Sequence, residues 1–274
     1  LIWYVLNHKK TSSAILFSNT ESINKIPTIK QKLRHLPYLL KIAAASMLII
    51  AIARPQSSTN WEESTTEGID IVLAMDISGS MLAQDLKPDR LEASKNVAMD
   101  FINKRINDRV GLVIFAGESF TQCPLTTDHN VLINLFQDVK SGMVDDGTAI
   151  GMGLATAVNR LKDSKAVSKV IILLTDGVNN SGTIPPLTAA EIAEKFGIRV
   201  YTIGVGSEGF APYPFKTPFG TQYQDVEVKI DEKTLQDIAT LTDAKYFRAT
   251  NNNSLKEIYK DIDSLEKSKI EVTE

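Results

Sequence analysis

One cysteine in 274 residues, Cys123, excludes an internal disulfide framework. Followed by Pro124 and Leu125, it reads as a buried small side chain rather than a reactive thiol. Histidine is nearly as scarce, and two of the three, His8 and His35, fall near the N-terminus. The third, His129, reads as a helix-start residue, so a histidine-based general base or metal cluster lacks raw material. The G-x-S-x-G turn of serine hydrolases is missing. So is a basic excess where nucleic acid would need it. The first 60 residues carry +7 and the whole chain −3, which leaves −10 on residues 61–274. An acidic domain offers phosphates no basic face, and no nucleic-acid partner is expected.

Long apolar stretches are also few. The longest, the mostly apolar Leu36 to Ala53 with its charge-free part at Ile42–Ala53, makes about 27 Å of helix, close to a bilayer core. Lys41 lies near one end, where its ammonium can snorkel to the headgroups. Residues 36–54 are therefore expected to form a transmembrane helix. The alternative is a core helix of a soluble domain. Leu1–Leu6, with Trp3 and Tyr4 before His8-Lys9-Lys10, reads as the tail of an earlier span. The chain starts at Leu1 rather than Met, as expected of a fragment. Residues 7–35 form a basic loop with Lys9, Lys10, Lys25, Lys30, Lys32 and Arg34. The positive-inside rule puts that loop in the cytoplasm and everything after residue 54 across the membrane. In a bacterial inner membrane, that side is the periplasm. Residues 55–68 read as a polar linker.

From residue 69 onward the pattern alternates. Short apolar runs at Ile69–Met75, Val110–Phe115, Val170–Thr175 and Val200–Val205 read as buried strands, with a weaker edge strand around Tyr246-Phe247. Helical periodicity marks Arg90–Lys104, Val131–Val139, Ile150–Leu161, Ala189–Phe196, Lys233–Leu241 and Ser254–Leu265. Asp89 and Glu92 have capping-box spacing before the first. The expected fold class is α/β: a doubly wound, mostly parallel sheet flanked by helices, spanning residues 69–267. In such sheets, ligands bind beyond the carboxyl ends of the strands.

The chemistry sits at that rim. Asp76-Ile77-Ser78-Gly79-Ser80 leaves the first strand as a carboxylate and two hydroxyls on alternate residues. Asp146-Gly147-Thr148 precedes a helix, and Thr175-Asp176-Gly177 ends another strand. Oxygen donors of this kind suit Mg²⁺ or Mn²⁺. The bland alternative is that Asp76, Ser78 and Ser80 only cap a helix or brace a turn. Asp145 and Asp146 read as residues that set up the Thr148 loop or are simply solvated.

This D-x-S-x-S, Thr and Asp-Gly set resembles the metal-ion-dependent adhesion site of von Willebrand factor A-type domains. The resemblance implies that Ser78, Ser80 and Thr148 ligate the metal through hydroxyls, with Asp76 and Asp176 acting directly or through water. It also implies an open coordination position filled by an Asp or Glu carboxylate from a partner protein. The membrane segments, linker, domain and the closing Asp243–Ala249 stretch resemble the Bacteroides aerotolerance (BatA/BatB) group, as do Val72–Met81, Asp146–Gly151 and Pro218-Phe219-Gly220. That implies a non-enzymatic, membrane-anchored scaffold in envelope or oxidative-stress tolerance. Its expected associates are related von Willebrand A-domain proteins and a MoxR-type AAA+ ATPase system. Residues 268–274 are expected to lead to a further span.

Three other readings compete. Asp76 at the end of a first strand could be the nucleophile of an Mg²⁺-dependent phosphatase of the haloacid-dehalogenase type. Ser78, however, stands where those enzymes carry their second aspartate. A metal-independent structural scaffold is the remaining non-enzymatic reading. Gly204-Val205-Gly206-Ser207-Glu208-Gly209 fits G-x-G-x-x-G, but Phe210–Pro214 cannot open the helix that a pyrophosphate needs. The aromatic, proline-rich stretch Ser207–Asp231 divides evenly between a partner-binding loop and a hairpin folded onto the domain's own edge.

Overall fold

The computed structural model describes residues 29, 33–53, 68–105, 107–217 and 220–273. The expected 1–6 tail, most of the basic loop, the linker up to residue 67 and the Pro218-Phe219 pair lie outside them. The chain divides into two units, Leu1–Glu62 and Glu63–Glu274. In the first, α1 (Leu36–Ala53) is an 18-residue helix with no buried residue and a mean hydropathy of 2.0. By length and composition it is long and apolar enough to cross a membrane.

The second unit holds a six-stranded sheet in the order β3 (Ser119–Thr126), β2 (Arg109–Phe115), β1 (Asp70–Asp76), β4 (Lys169–Thr175), β5 (Arg199–Val205) and β8 (Tyr246–Ala249). Its parallel strands are β1, β2, β4, β5 and β8. The four apolar runs and the weak edge candidate are these five strands. They read as continuous apolar runs because helices cover both faces of the sheet. Ile71, Leu73 and Met75 of β1 enter one core with α2 (Arg90–Ile102), α3 (His129–Gln137) and α7 (Asn252–Thr273). Val72 and Ala74 enter the other, with α4 (Ile150–Leu161), α5 (Pro186–Lys195) and α6 (Glu232–Leu241). Alternation along one strand thus assembles two cores.

Local signals place the helix starts. Asp89, Asp128 and Asp231 each accept a hydrogen bond from the backbone N–H three residues on, capping α2, α3 and α6. His129 is the first residue of α3, and its Nε2 lies 3.0 Å from the Asp108 carbonyl. Gly151 and Gly153 let α4 lie close against its neighbours. A Cβ on Gly153 would sit 2.5 Å from the Phe115 ring, and one on Gly151 only 1.9 Å from the Ile184 carbonyl oxygen. These glycines serve packing rather than phosphate binding.

Two elements differ from expectation. β3 (Ser119–Thr126) is an antiparallel edge strand on β2, with register shifts around Leu112. Its broken burial pattern and Pro124 hide it from a search for apolar runs, and proline is tolerated there because the strand is an edge. Cys123, buried as expected, is its inward residue. The Ser207–Asp231 stretch contains a hairpin, β6 (Phe210–Thr217) with β7 (Gly220–Glu227), that forms its own two-stranded sheet rather than extending the main one.

Helix α7 is fastened at the opposite end of the sheet by Glu266. Its buried carboxylate accepts from Ser168 Oγ (2.7 Å), Tyr201 Oη (2.6 Å) and the Arg199 guanidinium. Burial pushes its pKa up, but these donors win and hold it below the ordinary 4.5. A group held ionised in this way stabilises the fold above 4.5, and the gain is lost as pH falls below that value. Glu266→Ala should therefore cost about 3–5 kcal/mol at neutral pH, because it leaves Arg199 and the Tyr201 hydroxyl unpaired. Denaturant titrations from pH 3 to 7 should show the difference from wild type shrinking toward the acid end.

Candidate metal centre

Three loops meet at the carboxyl rim of β1 and β4. Asp76 is the last residue of β1, and the Ile77 N–H continues the ladder by donating to the Phe115 carbonyl at 2.9 Å. The chain then turns through a 3₁₀ segment, Gly79–Leu82, anchored by the buried Met81. The Ser78 N–H folds back to Asp76 Oδ1 at 2.9 Å, and the two serine hydroxyls come within 3.0 Å of each other. Gly79 allows a close approach. Its N–H donates to Asp146 Oδ1 at 3.0 Å, and a Cβ there would lie 3.1 Å from the Tyr213 hydroxyl.

The second loop presents Thr148. Gly147 adopts a φ of +135°, open to glycine alone at low cost. The Thr148 N–H donates to Asn180 Oδ1 at 2.8 Å, and its carbonyl accepts from the Asn180 N–H at 3.0 Å. Ala149 N–H is bonded to the Ala116 carbonyl at 2.6 Å. With its backbone held from both sides, the Thr148 side chain abuts the third loop: a Cβ on Gly177 would lie 3.3 Å from its Oγ1. Asp145 and Asp146 brace this arrangement. The Asp145 carbonyl accepts from Gly117 N–H at 2.8 Å, beside the Gly79 contact of Asp146.

The third loop brings Asp176. Ser80 Oγ donates to Asp176 Oδ1 at 2.6 Å, joining residues 96 apart in sequence. Arg90 Nη1 donates to the other carboxylate oxygen at 2.6 Å, and Thr175 Oγ1 donates to Asp76 Oδ2 at 2.6 Å. Asp76 is fully buried and Asp176 is 2% exposed. Burial, then the neighbouring Asp176 charge, push Asp76 from 3.8 up to about 7. Burial also raises Asp176, against the pull of Arg90. Two buried carboxylates served by one arginine leave negative charge that a cation would offset. All five sequence-selected residues are brought together, and every donor is oxygen. That donor set fits a hard divalent cation: Asp76 and Asp176 supply charge, while Ser78, Ser80 and Thr148 supply neutral hydroxyls.

Arg90 and Asp85 are not among the sequence-selected residues, and nothing in the sequence shows that the hairpin of the Ser207–Asp231 stretch joins them. Arg90, itself 3% exposed, also forks onto Asp85, with Nε–Oδ1 and Nη2–Oδ2 both at 2.7 Å. Asp85 in turn accepts from the Ser207 N–H at 2.7 Å, at the base of the hairpin. No local pattern announces Arg90, which looks like an ordinary first residue of α2; its partners are far away in sequence. The cleft above the rim measures about 390 Å³ and is lined by Ser80, Thr148, Asp176 and Gly177 on one side. Tyr213, Phe215, Val226 and Lys229 of the hairpin region line the other.

Comparison with known proteins agrees with this architecture. An uncharacterized protein of Borreliella burgdorferi is 32% identical over 219 residues, 79% of this chain. The chain spans 64% of that relative's length. The crystal structure of BatB from Bacteroides thetaiotaomicron is 32% identical, with 73% of this chain and all of that one covered and a TM-score of 0.65. An aerotolerance-related membrane protein from Bacteroides fragilis is 31% identical, covering 71% of this chain and 98% of its own, with a TM-score of 0.62. The family model for the von Willebrand factor type A domain matches residues 70–261. With the sheet order and two-core packing described above, the chain belongs to the von Willebrand factor type A domain family.

Proposed function

We propose that the chain is a membrane-anchored binding protein that takes up Mg²⁺ or Mn²⁺ at Asp76, Ser78, Ser80, Thr148 and Asp176. In this reading the ion leaves a position for an Asp or Glu carboxylate from a partner protein. The observation that carries it is the Ser80–Asp176 hydrogen bond of 2.6 Å, which joins two of the three oxygen-bearing loops beneath an open cleft. The bound ion would supply orientation and selectivity for a carboxylate, and the surrounding surface most of the affinity. Leu36–Ala53 serves as the anchor. The basic loop before it favours an inner-membrane orientation with the domain in the periplasm. The resemblance to the BatA/BatB group supports a scaffold role in envelope or oxidative-stress tolerance, alongside related von Willebrand A-domain proteins and a MoxR-type AAA+ ATPase system.

A phosphatase-like use of Asp76 finds little support in the geometry. Both of its carboxylate oxygens are hydrogen-bonded, to Ser78 N–H and Thr175 Oγ1, and the side chain is fully buried. A nucleophile needs an accessible oxygen.

Isothermal titration of Mg²⁺ and Mn²⁺ into the metal-stripped chain in detergent micelles should give saturable heat at millimolar concentration or below. Asp76→Ala should lose that heat, and Thr148→Ala should weaken binding at least tenfold while the thermal unfolding midpoint in EDTA changes little. Unchanged titrations in both variants would overturn the assignment of these residues.

Arg90 offers an independent check on the electrostatics. Arg90→Gln leaves Asp85 and Asp176 buried without their cation and should cost about 3–5 kcal/mol in EDTA. Because an ion bound only by the folded state adds stability by mass action, saturating Mg²⁺ should restore part of the loss. Denaturation curves with and without the ion measure both effects.

A further inference from the structure

The β6–β7 hairpin has two edges of unlike chemistry. Pro212 and Pro214 carry no N–H, so their pairs with Asp225 and Tyr223 are not the hydrogen-bonded pairs of the ladder. The bond from Val228 N–H to the Gly209 carbonyl, at 2.8 Å, sets the same phase. The outward-pointing Pro212 carbonyl accepts from Gln84 N–H at 2.9 Å, and Gln84 Nε2 reaches the Tyr223 hydroxyl at 3.4 Å. The β6 edge is thus closed twice, by proline and by the Ala83–Asp85 segment.

Pair alternation then directs the backbone N–H and C=O groups of Thr221, Tyr223 and Asp225 outward from β7. Among the described residues, none of these six groups is bonded outside the ladder. β7 contains no proline, and all eight of its residues are exposed. Folded proteins ordinarily blunt such an edge or cover it. Here one edge is blunted and the other is left able to pair.

The open edge also leads to the oxygen-rich rim. Val226 and Glu227 at its C-terminal end, with Val228 and Lys229 beyond, line the same cleft as Ser80, Thr148 and Asp176. We propose that the outer edge of β7 is a strand-addition site. An extended segment of the partner protein pairs with the backbone of Thr221, Tyr223 and Asp225 and delivers its acidic side chain into the adjoining cleft. The inference rests on the reading of that rim as a carboxylate receiver and names the conformation in which the carboxylate arrives. Main-chain hydrogen bonds supply affinity in this mode, and alternate side chains supply specificity. The partner face beside Val226, Tyr213 and Phe215 is therefore apolar. The face beside the exposed Asp225 is neutral or basic, with the acidic residue beyond the paired stretch.

The test starts from the full chain in detergent micelles with Mg²⁺, panned against random twelve-residue peptides displayed on phage and eluted with EDTA. Enriched peptides should combine one Asp or Glu with an adjacent run of alternating apolar residues. A synthetic peptide of that sequence should bind at least tenfold more weakly to Thr221→Pro and Asp225→Pro. Each removes an outward N–H and spares the β6–β7 ladder, as Pro212 and Pro214 do on the other strand. Unchanged Mg²⁺ heat and unfolding midpoints certify that both variants are folded. Methylating alternate peptide amides should abolish binding in one phase and spare it in the other.

Mg²⁺-dependent peptides that bind both proline variants with unchanged Kd would overturn the strand addition and leave the carboxylate reading standing. Peptides weakened by the proline substitutions, but bound equally in EDTA and by Asp176→Ala, would support strand pairing and overturn the carboxylate reading. No enrichment over an EDTA-treated control would overturn the proposal.

Discussion

Burial of two carboxylates side by side at the rim of a dry parallel sheet is the constraint around which the site is arranged. Asp76 ends β1 and Asp176 follows the adjacent β4, both strands being almost wholly apolar, so little water reaches their charge. Each oxygen is instead met by a fixed donor: Ser78 N–H and Thr175 Oγ1 for Asp76, Ser80 Oγ and Arg90 Nη1 for Asp176. Those donors come from a tight turn, a strand end and the first turn of a helix. Meeting the needs of two side chains therefore fixes the relative placement of β1, β4 and α2 at one end of the molecule. The Glu266 network does comparable work at the other end, where one helical carboxylate gathers Ser168, Arg199 and Tyr201.

What could be read in advance follows from how far each signal reaches along the chain. Parallel strands covered on both faces are continuous apolar runs, so β1, β2, β4 and β5 stand out from their own residues. The oxygen donors are similarly legible because Asp76, Ser78 and Ser80 lie within five residues, and the Thr148 and Asp176 motifs each sit beside a recognisable element. β3 stays hidden because an edge strand with Pro124 and alternating exposure resembles a loop. Arg90 stays hidden for another reason: its meaning depends on Asp176, 86 residues away. Hairpin formation within the 207–231 stretch was one of two expectations. Its attachment to the rim through Gln84, Tyr213 and Asp85 is a tertiary fact with no local trace.

The hairpin is tied to the rim by polar contacts as well as by packing. Asp85 accepts from Ser207 at the hairpin base and from Arg90, which spans to Asp176. Tyr213 stands over Gly79 beside Asp146, and burial with the nearby acidic charges pushes its hydroxyl pKa up, so it remains a neutral donor. The wall of the cleft and the floor of the cleft consequently share side chains. A substitution at Asp85 or Arg90 alters both at once, whereas one on the outer edge of β7 touches the wall alone.

Charge arithmetic sets what Arg90 contributes to the proposed site. When ionised, Asp76, Asp176 and Asp85 contribute three negative charges, and Arg90, paired with both Asp85 and Asp176, removes one; the hydroxyls contribute none. A divalent cation on this set would bring the sum to about zero in a poorly solvated place, where Coulomb interactions are several-fold stronger than in bulk water. An incoming carboxylate would then meet no net repulsion at the open position of the ion. Were Arg90 absent, the same set with its ion would keep about one negative charge, which would oppose a partner's acid. The arginine that braces the fold beneath the rim would thereby also tune the rim toward a negatively charged ligand.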